Sequence, residues 1–168
     1  MKIGLISDTH SYLDPKVFDY FKDVDEIWHA GDVGNFEVIK QLEEFKPLYG
    51  VYGNIDSHEV RTVFPEHQKL AREGVKIWMT HIGGKPPRYN KEIRKKIYSL
   101  KPDIFICGHS HICAVMHDPK DKSILYINPG AAGIHGFHKT RTMMRFELNE
   151  GKIQNLQVIE LGSRAGTN

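Results

Sequence analysis

Five short polar clusters hold the residues of this chain with metal-binding chemistry. They are Asp8-Thr9-His10, Gly31-Asp32, Gly53-Asn54-Ile55-Asp56, His81, and Gly108-His109-Ser110-His111. Taken singly, each has an ordinary reading. Asp8-x-His10 fits an Asx turn, Gly31-Asp32 and Gly53-Asn54 are common loop dipeptides, and a lone His81 is usually a surface residue. His109-x-His111 is the strongest, because imidazoles two apart in extended chain share a face. Together Asp8, His10, Asp32, Asn54, His81, His109 and His111 offer a mixed oxygen and nitrogen donor set. Such a set suits manganese, iron, zinc and similar divalent ions. It contains no thiolate, which argues against a structural zinc. Seven donors exceed what one tetrahedral ion takes. Two ions sharing a bridging carboxylate would use all seven and leave positions for water and substrate. Paired cations of this kind activate water and clamp phosphoryl oxygens.

Each cluster follows a predicted strand. The spacing predicts strands over Lys2 to Ser7, Glu26 to Ala30 and Leu48 to Tyr52. Between them, Asp14-Pro15 reads as N-cap and first helical residue ahead of Val17, Phe18 and Phe21. Asn35 caps a helix with Phe36, Ile39, Leu42 and Phe45 on one face, stopped by Pro47. Strand, helix, strand, helix, strand implies parallel pairing with right-handed crossovers. In such sheets ligands bind beyond the carboxyl ends of the strands, where the first three clusters fall. The pattern then changes. Gln68 to Arg72 and Val75 to Thr80 flank Glu73-Gly74 as a hairpin, and His81 ends the second strand. Asn90 to Leu100 reads as a helix through Ile93, Ile97 and Leu100. Ile104 to Cys107 is a strand leading into His109 and His111. Cys113 to His117, Ser123 to Asn128, Arg141 to Asn149 and Lys152 to Leu161 read as mostly antiparallel strands, with turns at Asp121-Lys122 and Glu150-Gly151. The expected fold class is α/β: a βαβαβ half joined to a hairpin-rich half, as two packed sheets with helices outside.

Composition bounds the rest. The 168 residues fit a single domain, read as 1–162 with a frayed tail at 163–168. A net charge of +2 shows no global basic excess, so nucleic acid is not the expected partner. The two cysteines, Cys107 and Cys113, form no CxxC motif and read as buried thiols. The start MKIGLISDTH carries no leader pattern, and no apolar stretch approaches the ~20 residues that span a bilayer. The expected location is cytoplasmic, with no membrane partner. Ten histidines are the one compositional oddity. Repeats, low-complexity segments and linkers are absent.

In their order, Asp8-x-His10, Gly31-Asp32, Gly53-Asn54-x-Asp56, His81 and Gly108-His109-x-His111 resemble the motif set of the calcineurin-like metallophosphoesterases. The likeness runs from Asp8 to His111. The short length and Asn128-Pro129-Gly130 resemble the small single-domain YfcE-like and MJ0936-like phosphodiesterase branch. This resemblance implies a β-sandwich of two mixed sheets flanked by helices, in four α/β/β/α layers. It implies that Asp8, His10, Asp32 and His111 hold a first metal, with Asp32 bridging. Asn54, His81 and His109 would complete the second and act directly in catalysis, and Asp56 would support them. Two divalent ions are implied, manganese first, with nickel, iron or zinc as alternatives. The implied activity is hydrolysis of phosphate esters, foremost phosphodiesters, by a hydroxide that the dinuclear centre activates. Many members place a histidine after the third-motif Asn. Ile55 stands there and can neither donate a proton nor bind an oxyanion, which implies a preference for good leaving groups.

The remaining candidates read as structural or solvated. His58, His135 and His138 could replace the missing histidine, the last two from a glycine-rich loop, but exposed loop histidines are the favoured reading. His29 reads as core or as a support beneath the site, and His67 and His117 as structural or exposed. Lys85, Arg88 and Tyr89, around Pro86-Pro87, could steer an anion, with a solvated loop favoured. Lys91, Arg94, Lys95 and Lys96 read as a wet helix face. Competing functions are a non-catalytic Vps29-like protein-interaction scaffold, which resembles the same fold with degraded metal motifs, and a nuclease. The physiological substrate, the preference for mono- or diester, the native metal and the oligomeric state stay open, a homo-oligomer included.

Overall fold

The computed structural model describes residues 1–165. In chain order the elements are β1 (Lys2–Ile6), α1 (Lys16–Tyr20), β2 (Glu26–His29), α2 (Phe36–Phe45), β3 (Leu48–Gly50), α3 (His58–Val63), β4 (His67–Arg72) and β5 (Val75–Thr80). They continue as β6 (Gly84–Lys85), β7 (Arg88–Tyr89), α4 (Lys91–Leu100), β8 (Ile104–Ile106), β9 (Ala114–His117), β10 (Leu125–Asn128), β11 (Thr140–Asn149) and β12 (Lys152–Ser163). One sheet has the order β12-β11-β1-β2-β3 and a second the order β4-β5-β8-β10-β9; β6 and β7 form a separate two-stranded ribbon.

Alternation along each strand builds four layers, because successive strand side chains point to opposite faces. From β1, Ile3 and Leu5 enter the cluster between the sheets, while Ile6 joins the outer one. Trp28 points inward from β2 and Ile27 outward. In the second sheet Ile77, Met79, Ile104 and Ile106 point inward, and Trp78 and Phe105 outward. The first sheet's outer face is covered by Val17, Ile39, Leu42 and Val60 from α1, α2 and α3. The second sheet's outer face is covered by Ile93 and Ile97 of α4. A side chain at Gly4 of β1 would meet the Phe21 ring at 2.8 Å, so the sheet lies close under α1. The result is the expected α/β fold of two packed mixed sheets with helices outside.

Several local expectations change. α1 begins later than Asp14-Pro15 implies: Pro15 takes the cap position, and the Asp14 carboxylate accepts the Lys16 N–H at 2.9 Å. In the second sheet β5 pairs parallel with β8 and β8 parallel with β10, so only β4 and β9, at the edges, run antiparallel. α4 supplies the crossover that makes β5 and β8 parallel. The one-and-a-half-turn α3, capped by the Ser57 hydroxyl, and the β6–β7 ribbon are too short to leave a periodic signal. β12 runs through Ser163, and the Arg164 N–H bonds to the Lys139 carbonyl at 2.9 Å, so the expected tail is ordered that far. Residues 166–168 lie outside the described residues. No helix among the described residues is long and apolar enough to cross a membrane.

A buried ion pair ties the start of α1 to β11. Arg141 Nη1 donates to Asp14 Oδ2 at 2.7 Å, and Nη2 donates to the Leu161 carbonyl at 2.9 Å. Burial pushes the Asp14 pKa up, but the Lys16 N–H and Arg141 outweigh it and leave it below the usual value. A depressed carboxylate contributes stability above its unfolded pKa, about 3.9, and loses it as pH falls through the lower folded value. Asp14→Ala strands a buried guanidinium and is expected to cost about 3 kcal/mol near neutrality. Urea unfolding of both proteins should show that difference shrinking as pH drops below about 4; a gap that stays constant with pH would contradict this.

Candidate metal centre

The loops that leave β1, β2, β3, β5 and β8 converge at one edge of the sandwich and bring six of the seven predicted donors into two groups. Asp8, His10 and His111 form one group whose donor atoms all lie within 4.8 Å of one another, and Asp32, His81 and His109 form a second. Asp8 Oδ1 stands 3.2 Å from His111 Nε2, and His10 Nε2 stands 3.3 Å from His111 Nε2. Asp32 divides its carboxylate between the groups. Its Oδ1 is 3.2 Å from His81 Nε2 and its Oδ2 is 3.6 Å from His10 Nε2. Asn54 and His81 line the same cavity of about 380 Å³. His109 and Asn54 are exposed, whereas Asp8, Asp32 and His81 are buried.

The backbone is strained where the donors sit. Asp8, His10, Asp32, His109 and His111 all have positive φ, between 47° and 67°. Non-glycine residues avoid this region, at a cost of order 1–3 kcal/mol each in the least favourable cases, and persist there only when surroundings hold them. The holding bonds are present. Asp8 N–H donates to the Gly31 carbonyl and His10 N–H to the Asp32 carbonyl, both at 3.0 Å. Ser7 Oγ donates to Asp8 Oδ2 at 2.6 Å, and the His109 N–H donates to the same oxygen at 3.1 Å. Asp56 spends both oxygens on backbone, accepting Gly53 N–H at 2.7 Å and Gly34 N–H at 2.8 Å. It positions two loops and is in neither donor group.

Hydrogen bonds also set the imidazole tautomers. His81 Nδ1 donates to the Ala30 carbonyl at 2.8 Å, which turns the lone pair of Nε2 toward Asp32. That buried Nε2 has no hydrogen-bond partner although Asp32 Oδ1 is close. A lone pair facing a carboxylate oxygen repels it unless a cation sits between. Burial lowers the basicity of His81, but the Asp32 carboxylate beside it, with the charge of Asp8, raises it above the usual value. The Asp32 carboxyl is pushed up by burial and pulled down further by His81. A proton or a metal ion can meet this demand, and the donor set fits the metal ions that the sequence implies. His10 is held below the usual imidazole value by burial, which outweighs Asp32 and Asp8.

His29 supports the site from below. Its Nδ1 accepts the Gly31 N–H at 3.2 Å and its Nε2 meets Thr9 Oγ1 at 3.0 Å. Burial lowers its pKa to about 4, so it stays neutral. His58, His67 and His117 lie outside both donor groups. His135 is exposed, as expected, and His138 is half-buried, and both reach the centre. The His135 ring centroid is 5.2 Å from that of His10, and His138 Nδ1 is 3.2 Å from His111 Nδ1. The available signal was the glycine spacing of their loop. A side chain at Gly133 would press on the Thr9 carbonyl, and one at Gly136 would strike His111.

Residues 1–151 match the calcineurin-like phosphoesterase superfamily domain, and the chain belongs to that family. A probable metallophosphoesterase of Methanocaldococcus jannaschii, MJ0623, is 34% identical over 137 residues, covering 78% of this chain and 68% of its own. The phosphodiesterase MJ0936 of the same organism is 29% identical over 146 residues, covering 77% and 83%. Among solved structures, a novel archaeal phosphodiesterase superposes with TM-score 0.77 at 24% identity over 96% of this chain and 100% of that one. The Vps29 of Entamoeba histolytica in complex with Zn²⁺ superposes with TM-score 0.70 at 20% identity over 95% and 99%, a likeness of fold. The chain is thus a hydrolase of the phosphate-ester class, with candidate metal-ligand groups in place.

Proposed function

We propose that this chain is a dinuclear metal-dependent phosphodiesterase. The observation that carries the reading is the division of the Asp32 carboxylate, one oxygen toward His81 and the other toward His10. Asp8, His10 and His111 would hold one divalent cation, Asn54, His81 and His109 a second, and Asp32 both. Manganese is the favoured ion, with nickel, iron and zinc as alternatives. Two such ions would lower the pKa of a water and neutralise charge on the phosphoryl oxygens. The chain's own part is to orient. Exposed Asn54 and His109 face incoming substrate, while Ser7, Ile55 and His109 give N–H or O–H bonds to the aspartates. The relative MJ0936 is a phosphodiesterase by name, in keeping with diesters as substrates.

Ile55 is 47% exposed, and its N–H is taken by Asp32 Oδ1 at 3.2 Å. It offers no acid to the leaving group, help that is typically worth ~10²–10⁴-fold. Purified protein is therefore expected to hydrolyse bis-p-nitrophenyl phosphate with Mn²⁺, to stop in chelator, and to cleave alkyl diesters far more slowly. Metal analysis should find two ions per chain. The Vps29-like scaffold shares the fold and predicts no metal-dependent hydrolysis. A nuclease predicts binding to DNA or RNA that weakens steeply with salt.

His138 fixes the His111 tautomer. Its Nε2–H donates to the Gly133 carbonyl at 2.9 Å, so its Nδ1 accepts from His111 Nδ1–H. That leaves His111 Nε2 free to bind metal beside Asp8. Groups that orient metal-bound imidazoles are worth ~10–100-fold in affinity. His138→Ala is expected to weaken Mn²⁺ binding by this amount in chelator competition. Wild-type affinity in that variant would remove His138 from the centre.

A further inference from the structure

Three cavities open beside the donor groups, and their charge differs. The one shared by Asn54 and His81 also holds Glu66 and Glu92, and the one beside His111 is lined by histidines and Phe137. The third, about 340 Å³, contains His109 together with Ile82, Ile112, Ala114 and Tyr126, and with Lys85 and Arg88 of the β6–β7 ribbon. It has two cations and no carboxylate in its walls. Ile82 and Ile112 are exposed, at 42% and 63%, apolar surface left open next to a candidate metal ligand.

Lys85 and Arg88 are register partners across the ribbon, so two like charges stand side by side. Like charges in directly opposed positions destabilise a strand pair. Among the described residues neither has a carboxylate within ion-pair distance. An anion received between them would relieve that repulsion. The peptide backbone of Gly83 and Gly84 and the branched chains of Ile82 and Ile112 form walls without polar side-chain atoms, which suit a flat apolar ring.

We propose that this cavity seats the substrate's leaving group, and that this group is a flat, mainly apolar ring system carrying a second anionic substituent. The proposal rests on the phosphodiesterase reading and names its substrate class. In the hydrolysis the P–O bond to the ring alcohol breaks and a water oxygen takes its place on phosphorus. The phosphomonoester and the ring alcohol then part, one proton of the water going to the alcohol or to solvent and the other staying on the phosphomonoester or leaving to solvent. Lys85 and Arg88 act as positioning residues for the distal anion, with no contact to the reacting phosphorus.

The test compares two chromogenic diesters, methyl 2-nitrophenyl phosphate and its counterpart with a carboxylate at ring position 4. Each is assayed with the Mn²⁺-supplemented wild type and with the Lys85→Ala/Arg88→Ala double variant. Comparing the variant effect on each ester cancels differences in leaving-group reactivity. The double variant should lose about tenfold more kcat/KM on the carboxylate ester than on the neutral one, with the extra loss in KM, as for two partly exposed charge contacts. An equal effect on both esters overturns the proposal. A second measurement needs no turnover: 4-hydroxy-3-nitrobenzoate is titrated into ¹⁵N-labelled protein as purified. Shifts at the amides of Gly83, Gly84 and Ala114, lost in the double variant, support the proposal, and their absence overturns it. If the wild type cleaves neither ester, the phosphodiesterase reading fails, and the titration alone decides whether the cavity takes such a ligand.

Discussion

Asp32→Ala is expected to lower metal-dependent hydrolysis by ~10³-fold or more, the scale of losing a preorganised clamp on developing charge. Both proposed ions should be held more weakly, because among the described residues Asp32 is the one side chain whose two oxygens face both donor groups. Removing His81 or His10 would touch one group each. Asp32→Asn separates charge from shape. It keeps an oxygen for the Ile55 N–H but has one neutral oxygen where two anionic ones are needed. Metal content and rate should therefore fall in Asn as in Ala, and thermal unfolding of both variants separates that loss from a loss of folding. A variant that keeps two tightly bound ions with near wild-type turnover would refute the bridging role.

Gly53→Ala is expected to damage the centre without altering one donor atom. The added methyl group would stand well inside contact distance of Asp32 Oδ1 and of the Asp32 backbone nitrogen. Gly53 is not among the positive-φ glycines, so the conflict is purely steric. Neither neighbour can yield freely: Asp32 is in the left-handed region, and the Gly53 N–H is fixed by Asp56. Overpacking of this kind costs about 1–3 kcal/mol. Displacing a catalytic group by ~1 Å costs ~10²-fold in rate. Thermal unfolding and metal titration of the variant should show a modest loss of stability beside a large loss of metal affinity and activity. Ordinary affinity and rate in Gly53→Ala would mean that Asp32 has more freedom than its contacts imply.

Much of the first half was legible because its signals are local. Val17 and Phe21, and Ile39 and Leu42, show helical spacing, and the runs from Ile3 and Ile27 show that buried strands lie between. Strand pairing in the second half was not legible. Whether β10 lies parallel or antiparallel to β8 depends on where β9 returns, and alternation within a strand is the same either way. α3 and the β6–β7 ribbon are too short for periodicity, and their stability comes from what they pack against. His138, named as a candidate, reads as an exposed loop residue for a related reason. It reaches His111 from 27 residues away through a loop whose course is set by contacts with Asp8 and Thr9.

The seven candidate donors were legible in the sequence. Side-chain chemistry is a property of residue type, and a donor placed just after a buried strand must emerge at that strand's end. Asp8, Asp32, Asn54, His81 and His109 each follow such a strand, and that alone sends them to one edge. Tertiary structure decided how the edge is divided. The split of the Asp32 carboxylate, the unpartnered Nε2 of His81, the left-handed backbone at five candidate donors, and the cationic cavity beside His109 arise from loops that meet only when both sheets pack. Such contacts join residues tens of positions apart, and no local pattern encodes their distances.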